Sequence, residues 1–421
     1  MNIVERGKAF VQSLVSIANR TAWQWRRCPY CGSTATSKWG SYKRRPWYLD
    51  GRREVVVARH RCRECGRTYS EEVAQLRRRC RYAREVRRQA IDYWVHMGCS
   101  TRKVAEWVRS QMGKQERYLI WRVLEERKEK AERCWLCAST VGRWLDEAGV
   151  EAQESVCGQL EGLGKVRALA ADGLWARLRG GTKRVVLLLI DSSSGVILPP
   201  LVALGEESAR HWQGLFERAC AAGLELAEVR GVTSDWSVGL VAHVRQSLSW
   251  LMHQRCLWHF WRNLRKPLAQ ACAGVRGAAG KQVRRELLAL VHGVLDAASY
   301  EQAEAALVKL RGHARGASLA AIIDAQFDHL LAHRLDYFRD VVRVTPEWYW
   351  RDFRMRLSHG RNHGNEQRLE RAALLWAIYH NFERTQMRKE KKRHYRHPGR
   401  SPLEVAGLSP GKISYLDALA V

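Results

Sequence analysis

Short apolar runs alternate with amphipathic stretches through residues 165–262. Three runs rich in β-compatible residues, VRALAADGLW, RVVLLLIDSSSG and VILPPLVAL, precede the amphipathic stretch SARHWQGLFERACAAG. Two further strand-like runs, EVRGVTSDWSVGL and SWLMHQRC, each lead into a helical pattern. Their periods and turn signals predict the element order β-β-β-α-β-α-β-α. An α/β core is therefore expected in this part of the chain.

Carboxylates stand where these strand-like runs give way to loops. The first run delivers Asp172 at its end and the fourth delivers Asp235, whereas Asp191 is expected to serve the turn after the second run. Glu366 lies where a polar loop becomes a helix, and Glu370, the alternative third acid, lies one turn later on the same face. Hard cations bind oxygen ligands, and two ions about 4 Å apart can serve phosphodiester chemistry. We therefore predict a catalytic site for two Mg²⁺ or Mn²⁺ ions formed by Asp172, Asp235 and Glu366.

Two CxxCG motifs near the start of the chain have the spacing of metal ligands. Cys28 and Cys31 form the first pair, Cys62 and Cys65 form the second, and thirty residues with strand character separate the pairs. Each motif places two thiolates on a tight turn that the glycine permits. Two such turns complete a tetrahedral site, which predicts a zinc ribbon with one structural Zn²⁺ over residues 21–75. Four buried cysteines without metal are the alternative.

Helical periodicity continues beyond the predicted ribbon. RRRCRYAREVRRQAIDYWVHMG and TRKVAEWVRS are separated by a short turn with glycine, which is typical of a helix-turn-helix. Farther on, Ser139 is expected to cap TVGRWLDEAG, a candidate recognition helix that ends at Gly149. Ser139, Thr140 and Arg143 would contact DNA from this helix. A plain helical connector is the alternative interpretation.

Charge and cysteine usage narrow the class of protein. The 421 residues carry a formal net charge of +29, which calls for an anionic partner such as nucleic acid. A composition with 46% hydrophobic residues and 18 Trp disfavours a ribosomal or chromatin-packing protein. Arg44 and Arg45, among aromatic residues of the predicted ribbon, are expected DNA contacts. The CxxCG pairs indicate a reducing cytoplasm, and no signal peptide or membrane span is expected, so localisation in the cytoplasm, at the nucleoid when DNA is bound, is predicted.

These patterns divide the chain into domains. We predict an N-terminal helix (1–20), the zinc ribbon (21–75), a helical helix-turn-helix domain (76–150), a linker (151–164), a catalytic core (165–382) with an all-helical insertion (263–350), and a basic C-terminal tail (383–421).

Several segments of the core resemble one family. ALAADGLW around Asp172, VTSDWSVGL around Asp235 and QRCLWHFWRNL resemble the DDE-type insertion-sequence transposases, close to the Mutator-like (MULE) group. In the last segment, Cys256 and His259 match the group's C-x-x-H signature. GNEQRLERAALLWAIYHNF is similar to the family's approach to its third acid, although His363 stands where the family typically has Asn.

The resemblance implies both a fold and a reaction. The fold would be an α/β ribonuclease H-like core with an all-α insertion, preceded by the zinc ribbon and the helix-turn-helix. The protein would bind terminal inverted repeats in double-stranded DNA, hydrolyse the DNA at the transposon end and transfer the new 3′-OH to target DNA as a homodimer or larger assembly. Cys256 and His259 would lie near the active site; a buried Cys with a satisfied His is the alternative.

Three other functions stay open at this point. A structure-specific nuclease of the same fold would cut DNA without strand transfer. A catalytically dead, sequence-specific DNA-binding regulator would bind without cutting, and the intact carboxylates count against it. Zinc ribbons and basic tails also serve RNA-processing proteins, so the preferred nucleic acid has to be measured.

Overall fold

The computed structural model describes residues 27–73, 75–112, 136–163, 165–335, 338, 341–342, 353–354, 363–384, 399–408 and 414–419. The predicted N-terminal helix (1–20) and residues 385–398 of the predicted basic tail lie outside these residues. The chain packs into two compact units, Met1–Asp92 with Thr101–Val141 and Tyr93–Ser100 with Gly142–Val421. The predicted carboxylates all fall in the second unit, and the two CxxCG motifs fall in the first.

Five strands begin the first unit. They are β1 (Thr36–Arg44), β2 (Trp47–Tyr48), β3 (Gly51–Arg52), β4 (Val55–Cys62) and β5 (Thr68–Ser70). β1, β4 and β5 form an antiparallel sheet in that order, and β2 pairs with β3. The strand character predicted between the two CxxCG motifs is confirmed.

Three helices follow within the described residues, namely α1 (Arg84–Met97), α2 (Thr101–Met112) and α3 (Ala138–Gln159). Residues 98–100 join α1 to α2, and Gly98 there has a φ of +58°, so the predicted glycine turn between two helices is present. α3 begins at Ala138, so the prediction that Ser139 precedes and caps the helix is wrong. Instead, the Ser139 hydroxyl lies in the first turn, 3.0 Å from the Cys137 sulfur.

A mixed five-stranded sheet is the centre of the second unit. Its strands are β6 (Ala168–Arg177), β7 (Lys183–Asp191), β8 (Leu201–Leu204), β9 (Gly231–Ser234) and β10 (Met252–Arg255). The order across the sheet is β10-β9-β6-β7-β8; β6, β7 and β8 pair antiparallel, whereas β9 is parallel to both β6 and β10. Residues 185–191 of β7 are all buried, as expected for a strand covered on both faces.

Helices cover this sheet and continue beyond it. They are α4 (Ala209–Ala221), α5 (Val238–Ser247), α6 (Leu257–Ala271), α7 (Gly277–Leu295), α8 (Tyr300–Gly312), α9 (Ala317–Asp324), α10 (Phe327–Leu331), α11 (Glu366–Phe382), α12 (Pro402–Val405) and α13 (Tyr415–Ala418). The predicted order β-β-β-α-β-α-β-α is confirmed, and so is the mixed α/β class. Within the described residues, no helix has a long enough apolar stretch to cross a bilayer.

The helices from α6 to α10 share one apolar core. It includes Leu264, Leu287, Leu307 and Ile323, one from each of four helices. Their apolar positions recur at helical spacing, which buries one stripe of each helix against its neighbours. The helical pattern predicted over 263–350 is therefore confirmed for the described part of that span, and its role as an insertion stays a prediction.

α11 is buried on all sides over its central residues. Every residue from 372 to 379 is buried, because the stretch AALLWAIY offers no polar face to solvent. Near its end, the Asn381 amide accepts a hydrogen bond from the Ile197 N–H at 2.8 Å and donates one to the Ile197 carbonyl at 2.9 Å. Asn381 therefore ties the helix to the segment between β7 and β8.

Gly149 has a different role from the one predicted. α3 continues through it to Gln159, so the predicted helix end is wrong and much of the predicted linker (151–164) is helical. A Cβ at Gly149 would lie 2.8 Å from the Arg371 carbonyl oxygen and 2.4 Å from the Arg371 Cβ. The glycine therefore permits close packing of α3 against α11, a long-range contact that local sequence does not reveal.

Removal of the Asn381 amide is expected to destabilise the second unit. Asn381→Ala breaks both hydrogen bonds and leaves the buried N–H and C=O of Ile197 unsatisfied, which costs about 2–4 kcal/mol. Asn365→Ala is the matched control, because Asn365 only caps the start of the same helix and its loss costs about 1 kcal/mol. Urea unfolding measures both variants, and equal effects would contradict the bridging role.

Candidate catalytic centre and zinc site

Asp172 and Asp235 occupy equivalent positions on neighbouring parallel strands. β6 and β9 pair Ala171 with Ser234, so each aspartate is the next residue along its own strand. Neighbouring strands lie about 4.8 Å apart, which brings the two aspartates to one edge of the sheet. Asp235 directly follows β9, as predicted, but Asp172 lies in the middle of β6, and the prediction that it ends its strand is wrong. β6 continues to Arg177 because its second half still pairs with β7.

Backbone amides orient both carboxylates. Asp172 is buried, and its Oδ1 accepts a hydrogen bond from the Gly173 N–H at 2.8 Å. The Asp235 Oδ1 accepts one from the Ser237 N–H at 3.0 Å. Between these two residues, Trp236 has a φ of +74°, a left-handed conformation that is costly for a bulky side chain. Such strain persists only where the surroundings enforce it, and it is often found at functional sites.

Buried polar groups hold this strained turn. The Trp236 N–H donates to the Ser234 hydroxyl at 3.1 Å, and that oxygen is 2.6 Å from Nε2 of His253. The indole also packs on the rings of His253 and His329, with centroids 4.5 and 4.6 Å away. Burial, followed by the charges of His329 and Arg245, lowers the pKa of His253 to about 3, so its ring is neutral at pH 7. The sequence patterns do not indicate a role for Ser234, His253 or His329 at this turn.

Arg255 provides a buried cation near Asp235. It ends β10, and its guanidinium lies 4.8 Å from the Phe260 ring centroid and 5.8 Å from that of Trp236. Its Nη1 donates to the Gln326 side-chain oxygen. Burial lowers the pKa of Arg255, and the charge of Asp235 opposes that shift. In the sheet order β10-β9-β6, the guanidinium of Arg255 therefore places positive charge on one side of Asp235, and Asp172 lies on the other side.

A third carboxylate lies at this edge, and sequence analysis missed it. Glu207 precedes Ser208, which caps α4 by accepting a hydrogen bond from the His211 N–H. A Cβ at Gly173 would lie 2.4 Å from the Glu207 Oε1, so the carboxylate occupies the space that a side chain at position 173 would take. Asp172 accepts a hydrogen bond from the Gly173 N–H, so both acids lie beside the same residue.

The surroundings of Glu207 disfavour its charged form. Burial, followed by the negative charge of Asp235, raises the pKa of Glu207 to about 7. Its Oε2 and the neighbouring Ser237 Oγ are both shielded from solvent, and hydrogen bonding to the Ser237 side chain opposes the rise in the pKa of Glu207. The motif GEESARHW is typical of a helix start, so the sequence alone does not indicate a functional role for Glu207.

Glu366 and Glu370 are each paired with an arginine. The Glu366 Oε1 accepts a hydrogen bond from the Arg184 Nε at 2.8 Å, and the Glu370 Oε1 lies 2.6 Å from Nη1 of Arg218. The hydrogen bond of Glu366 with its own backbone N–H, followed by that with Arg184, lowers the pKa of Glu366. Arg184 stands four residues from the β7 partner of Asp172, which is about 13 Å along the strand. Either glutamate would have to exchange an arginine for a metal ion.

The predicted C-x-x-H pair begins α6. Cys256 is fully buried, and its N–H donates to the Ser234 carbonyl at 2.7 Å, one residue before Asp235. The His259 ring lies edge-on to Trp258, with centroids 4.8 Å apart. Cys256 therefore lies beside the candidate centre through its backbone, and an active-site-proximal role for both residues stays a prediction.

The donor set at this edge fits hard divalent cations. Asp172, Asp235 and Glu207 offer only carboxylate oxygens, the ligands that Mg²⁺ and Mn²⁺ prefer, and the shielded Oε2 of Glu207 has an acceptor to spare. In the described chain, only the four CxxCG cysteines are close enough together to hold one ion as they stand. Asp172, Asp235 and Glu207 do not form such a group among the described residues.

The four cysteines converge at one end of the first unit's sheet. The ligand atoms of Cys28, Cys31, Cys62 and Cys65 all lie within 4.8 Å of one another, and the Cys28–Cys65 and Cys31–Cys62 sulfur distances are both 3.6 Å. Zn–S bonds of about 2.3 Å in a tetrahedron imply sulfur separations of about 3.8 Å. The cluster could therefore hold one structural zinc, which fits a zinc ribbon.

Glycine shapes the two cysteine turns as predicted. Gly32 and Gly66 have φ values of +71° and +69°, a conformation that residues with a side chain rarely adopt. The hydrogen bond from the Gly32 N–H to the Cys28 carbonyl closes the first turn. Burial raises the pKa of Cys28, but hydrogen bonds from the Tyr30 and Cys31 backbone outweigh this effect and lower it to about 7, whereas burial and the neighbouring thiols raise the pKa of Cys31 to about 12.

The predicted DNA contacts differ in their accessibility. Arg44 donates to the Cys80 carbonyl, so its guanidinium has a structural partner, and Arg45 is paired with Glu54 at the surface. In the candidate recognition helix α3, Ser139 and Arg143 are exposed and Thr140 is half-buried.

A basic groove that the sequence did not indicate lies on the first unit. It is a cavity of about 310 Å³ lined by Trp39, Gly40, Ser41, Tyr42, Arg59, Ser70, Arg78 and Arg79. Trp39 is 50% exposed, and the guanidinium of Arg61 lies over its ring at 4.7 Å. Exposed arginines beside an exposed aromatic are suited to phosphates and to stacking on bases.

Comparison with known proteins gives this arrangement a class. Residues 170–343, which include Asp172, Glu207 and Asp235 but not Glu366, match the family model described as Transposase, Mutator family. The match spans fewer than half of the 421 residues and supports a Mutator-like DNA transposase, a nucleotidyl-transferase type of enzyme. The structure titled "Crystal structure of the Mos1 Strand Transfer Complex" matches at 14% sequence identity and a TM-score of 0.17, covering 69% of this chain and 81% of that chain. A search of curated proteins finds no match.

Proposed function

We propose that the protein is a DDE-type transposase of an insertion sequence. It binds terminal inverted repeats, cleaves DNA in a metal-dependent reaction and joins the resulting 3′-OH to target DNA. The observation that carries this proposal is the side-by-side position of Asp172 and Asp235 within the segment that matches the Mutator family. The element order and the mixed five-stranded sheet support a ribonuclease H-like core.

Asp172 and Asp235 are the proposed ligands of two Mg²⁺ or Mn²⁺ ions. Glu366 is the proposed third acid and Glu370 its alternative; Arg184 has to release Glu366 for this role. When bound, the ions would polarise the scissile phosphate and lower the pKa of the attacking oxygen. The residues around Trp236 hold Asp235 at the strand end, while the Gly173 and Ser237 amides fix the direction of the two carboxylates.

The proposed reaction has two displacements at phosphorus. In the first, a water oxygen forms a bond to phosphorus at the transposon end, the P–O3′ bond breaks, and the leaving 3′ oxygen takes up a proton. In the second, this 3′-OH attacks a target phosphate, and the 3′ oxygen of the target strand leaves. The protein forms no covalent bond to DNA, so its side chains act by positioning and by charge.

The first unit, together with the N-terminal part of α3, is proposed to bind DNA. One structural Zn²⁺ would hold the ribbon through the four cysteines, and the helix-turn-helix would present α3 to the DNA. The proposed contacts are Arg44, Arg45, Ser139, Thr140 and Arg143, to which the groove arginines are added. Because both transposon ends have to be joined, the active form is proposed to be a homodimer or a larger assembly on DNA.

A cleavage and strand-transfer assay tests the proposal. Purified protein is incubated with labelled duplexes that carry the element's own ends, with a supercoiled target plasmid and with Mg²⁺, Mn²⁺, Ca²⁺ or EDTA. Nicking at the ends and joined products in Mg²⁺ or Mn²⁺ alone are expected. Cleavage without joining would indicate a nuclease, and specific binding without cleavage in any metal would indicate a regulator. Either outcome would overturn the transposase proposal.

Replacement of a groove arginine is expected to weaken DNA binding irrespective of sequence. Arg78→Ala removes one phosphate contact, which should lower the slope of log affinity against log salt by about 1. Arg53→Ala is the matched control, because Arg53 is exposed on the same unit but paired with Asp50 outside the groove. Fluorescence anisotropy at several salt concentrations measures both. An unchanged slope for Arg78→Ala would exclude the groove from the DNA interface.

A further inference from the structure

Glu207 lies against the candidate catalytic edge although it belongs to neither β6 nor β9. We propose that Glu207 is a ligand of the catalytic metal ions together with Asp172 and Asp235. This inference rests on the proposed function, because it assigns a further residue to the same metal site.

Two glycines make room for Glu207. A Cβ at Gly173 would lie 2.4 Å from its Oε1 and 2.7 Å from its Cδ, and a Cβ at Gly239 would lie 1.9 Å from its backbone carbonyl oxygen. A side chain at position 239 would clash with backbone, whereas one at position 173 would displace the Glu207 carboxylate from its present place. The Glu207 carboxylate therefore packs on Gly173 of β6, and the Glu207 backbone carbonyl packs on Gly239 of α5.

The segment that carries Glu207 is fixed in place. The next residue, Ser208, caps α4 through a hydrogen bond from the His211 N–H, and the His211 Nδ1 lies 2.9 Å from the same hydroxyl. α4 also packs on α5 and on β7 and β8. A ligand that starts from rigid elements keeps its geometry without metal, as a preorganised site requires.

The polar environment of Glu207 is incomplete. Its Oε2 and the Ser237 Oγ are both shielded from solvent, and hydrogen bonding to the Ser237 side chain favours the charged carboxylate less than burial disfavours it. A shielded carboxylate is costly to keep charged, and a cation bound there would offset that cost. The charge of Asp235 also acts on Glu207, so the two acids share one electrostatic environment.

The other two glutamates differ from Glu207 in this respect. Glu366 and Glu370 each have an arginine within hydrogen-bond distance, whereas no ion pair of Glu207 is found in the described part of the chain. Glu366 and Glu370 would each have to release an arginine before binding a metal, whereas Glu207 would not. Its position within the matched segment 170–343, which excludes the other two, agrees with this distinction.

Direct measurement of Mn²⁺ binding tests the proposal without catalysis. Calorimetric titration of the full chain, saturated with zinc, with Mn²⁺ alone is expected to show a dissociation constant at least about tenfold weaker for Glu207→Gln. Gly173→Ala, which keeps every carboxylate but displaces Glu207, should have a similar effect. Glu206→Gln is the matched control, since Glu206 is the exposed neighbour, and should bind Mn²⁺ like the wild type.

A second measurement uses the unaltered chain. Fe²⁺ in place of Mg²⁺, with ascorbate and hydrogen peroxide, cuts the backbone next to the bound metal, and cuts are expected near residues 172, 207 and 235. Wild-type Mn²⁺ affinity in Glu207→Gln together with no cut near 207 would overturn the proposal. If Asp172→Asn and Asp235→Asn still weaken Mn²⁺ binding, the proposed catalytic function survives that result. If neither weakens it and the wild type cuts no DNA, the proposed function fails as well.

Discussion

Asp235→Asn is expected to lower the rate of Mg²⁺-dependent DNA cleavage by roughly a thousandfold or more. A metal pair contributes several kcal/mol to stabilisation of the transition state, and the neutral amide is a poor ligand for it. The fold should persist, because the Asn oxygen can still accept the hydrogen bond from the Ser237 N–H. Loss of the Asp235 charge also removes one cause of the raised pKa of Glu207, which should fall below about 7.

The matched control for this prediction is another aspartate at a strand end. Asp191 ends β7 and is buried, but its oxygens accept hydrogen bonds from Ser193 and Ser194 in the turn, as the sequence predicted. Asp191→Asn should keep the cleavage rate within about tenfold of the wild type at a temperature where it is folded, since it touches no reacting group. Single-turnover cleavage at saturating Mg²⁺ measures both variants. Similar losses in both would show that Asp235 has no special catalytic role.

Cys62→Ser is expected to abolish zinc binding and unfold the ribbon. The hydroxyl of serine is a poor zinc ligand, and small zinc modules generally do not fold without their metal. The metal content should fall from one zinc per chain to nearly none, and residues 27–73 should lose protection from hydrogen exchange. Among the described residues, the buried apolar cluster of the sheet formed by β1, β4 and β5 consists of Cys28, Cys62 and Tyr69, which is too small a core to replace the metal.

Cys80→Ser is the control within the same unit. Cys80 is a free, half-buried cysteine outside the four-cysteine cluster, so this variant should retain zinc and the protected ribbon. Elemental analysis and hydrogen exchange of wild type, both variants and chelator-treated protein distinguish the cases. A folded ribbon in Cys62→Ser without zinc would contradict a metal-dependent fold.

Local patterns were sufficient to predict the sheet strands and the position of Asp235. Each strand is a short apolar run with its own turn signals, so its existence depends on neighbouring residues alone. Asp172 was misplaced because β6 is extended by pairing with β7, which depends on a partner strand. The predicted helix end at Gly149 is wrong for a similar reason. This glycine allows close contact with Arg371, which lies more than 200 residues away in sequence.

The residues of the candidate centre also differ in whether local sequence alone can predict them. Asp172 and Asp235 follow apolar runs and could be recognised, whereas Glu207 gains its significance only from Gly173 and Gly239 on other elements. The pairing of Glu366 with Arg184 could not be predicted either, because helices and strands far apart in sequence bring the two side chains together. Periodicity predicts which face of an element is buried, but not which polar group lies opposite it.

α11 is held in place by the core of the second unit, and this restricts how Glu366 can move. With residues 372–379 buried on every side and Asn381 bonded to Ile197, the helix cannot slide or rotate without disrupting the core. Glu366 at its first turn can change partners only by rotating its own side-chain bonds. Rotamer changes at partly exposed positions take picoseconds to nanoseconds, whereas collective shifts of helices take microseconds to milliseconds. Exchange of Glu366 between Arg184 and solvent would therefore equilibrate before each cleavage event and produce no lag.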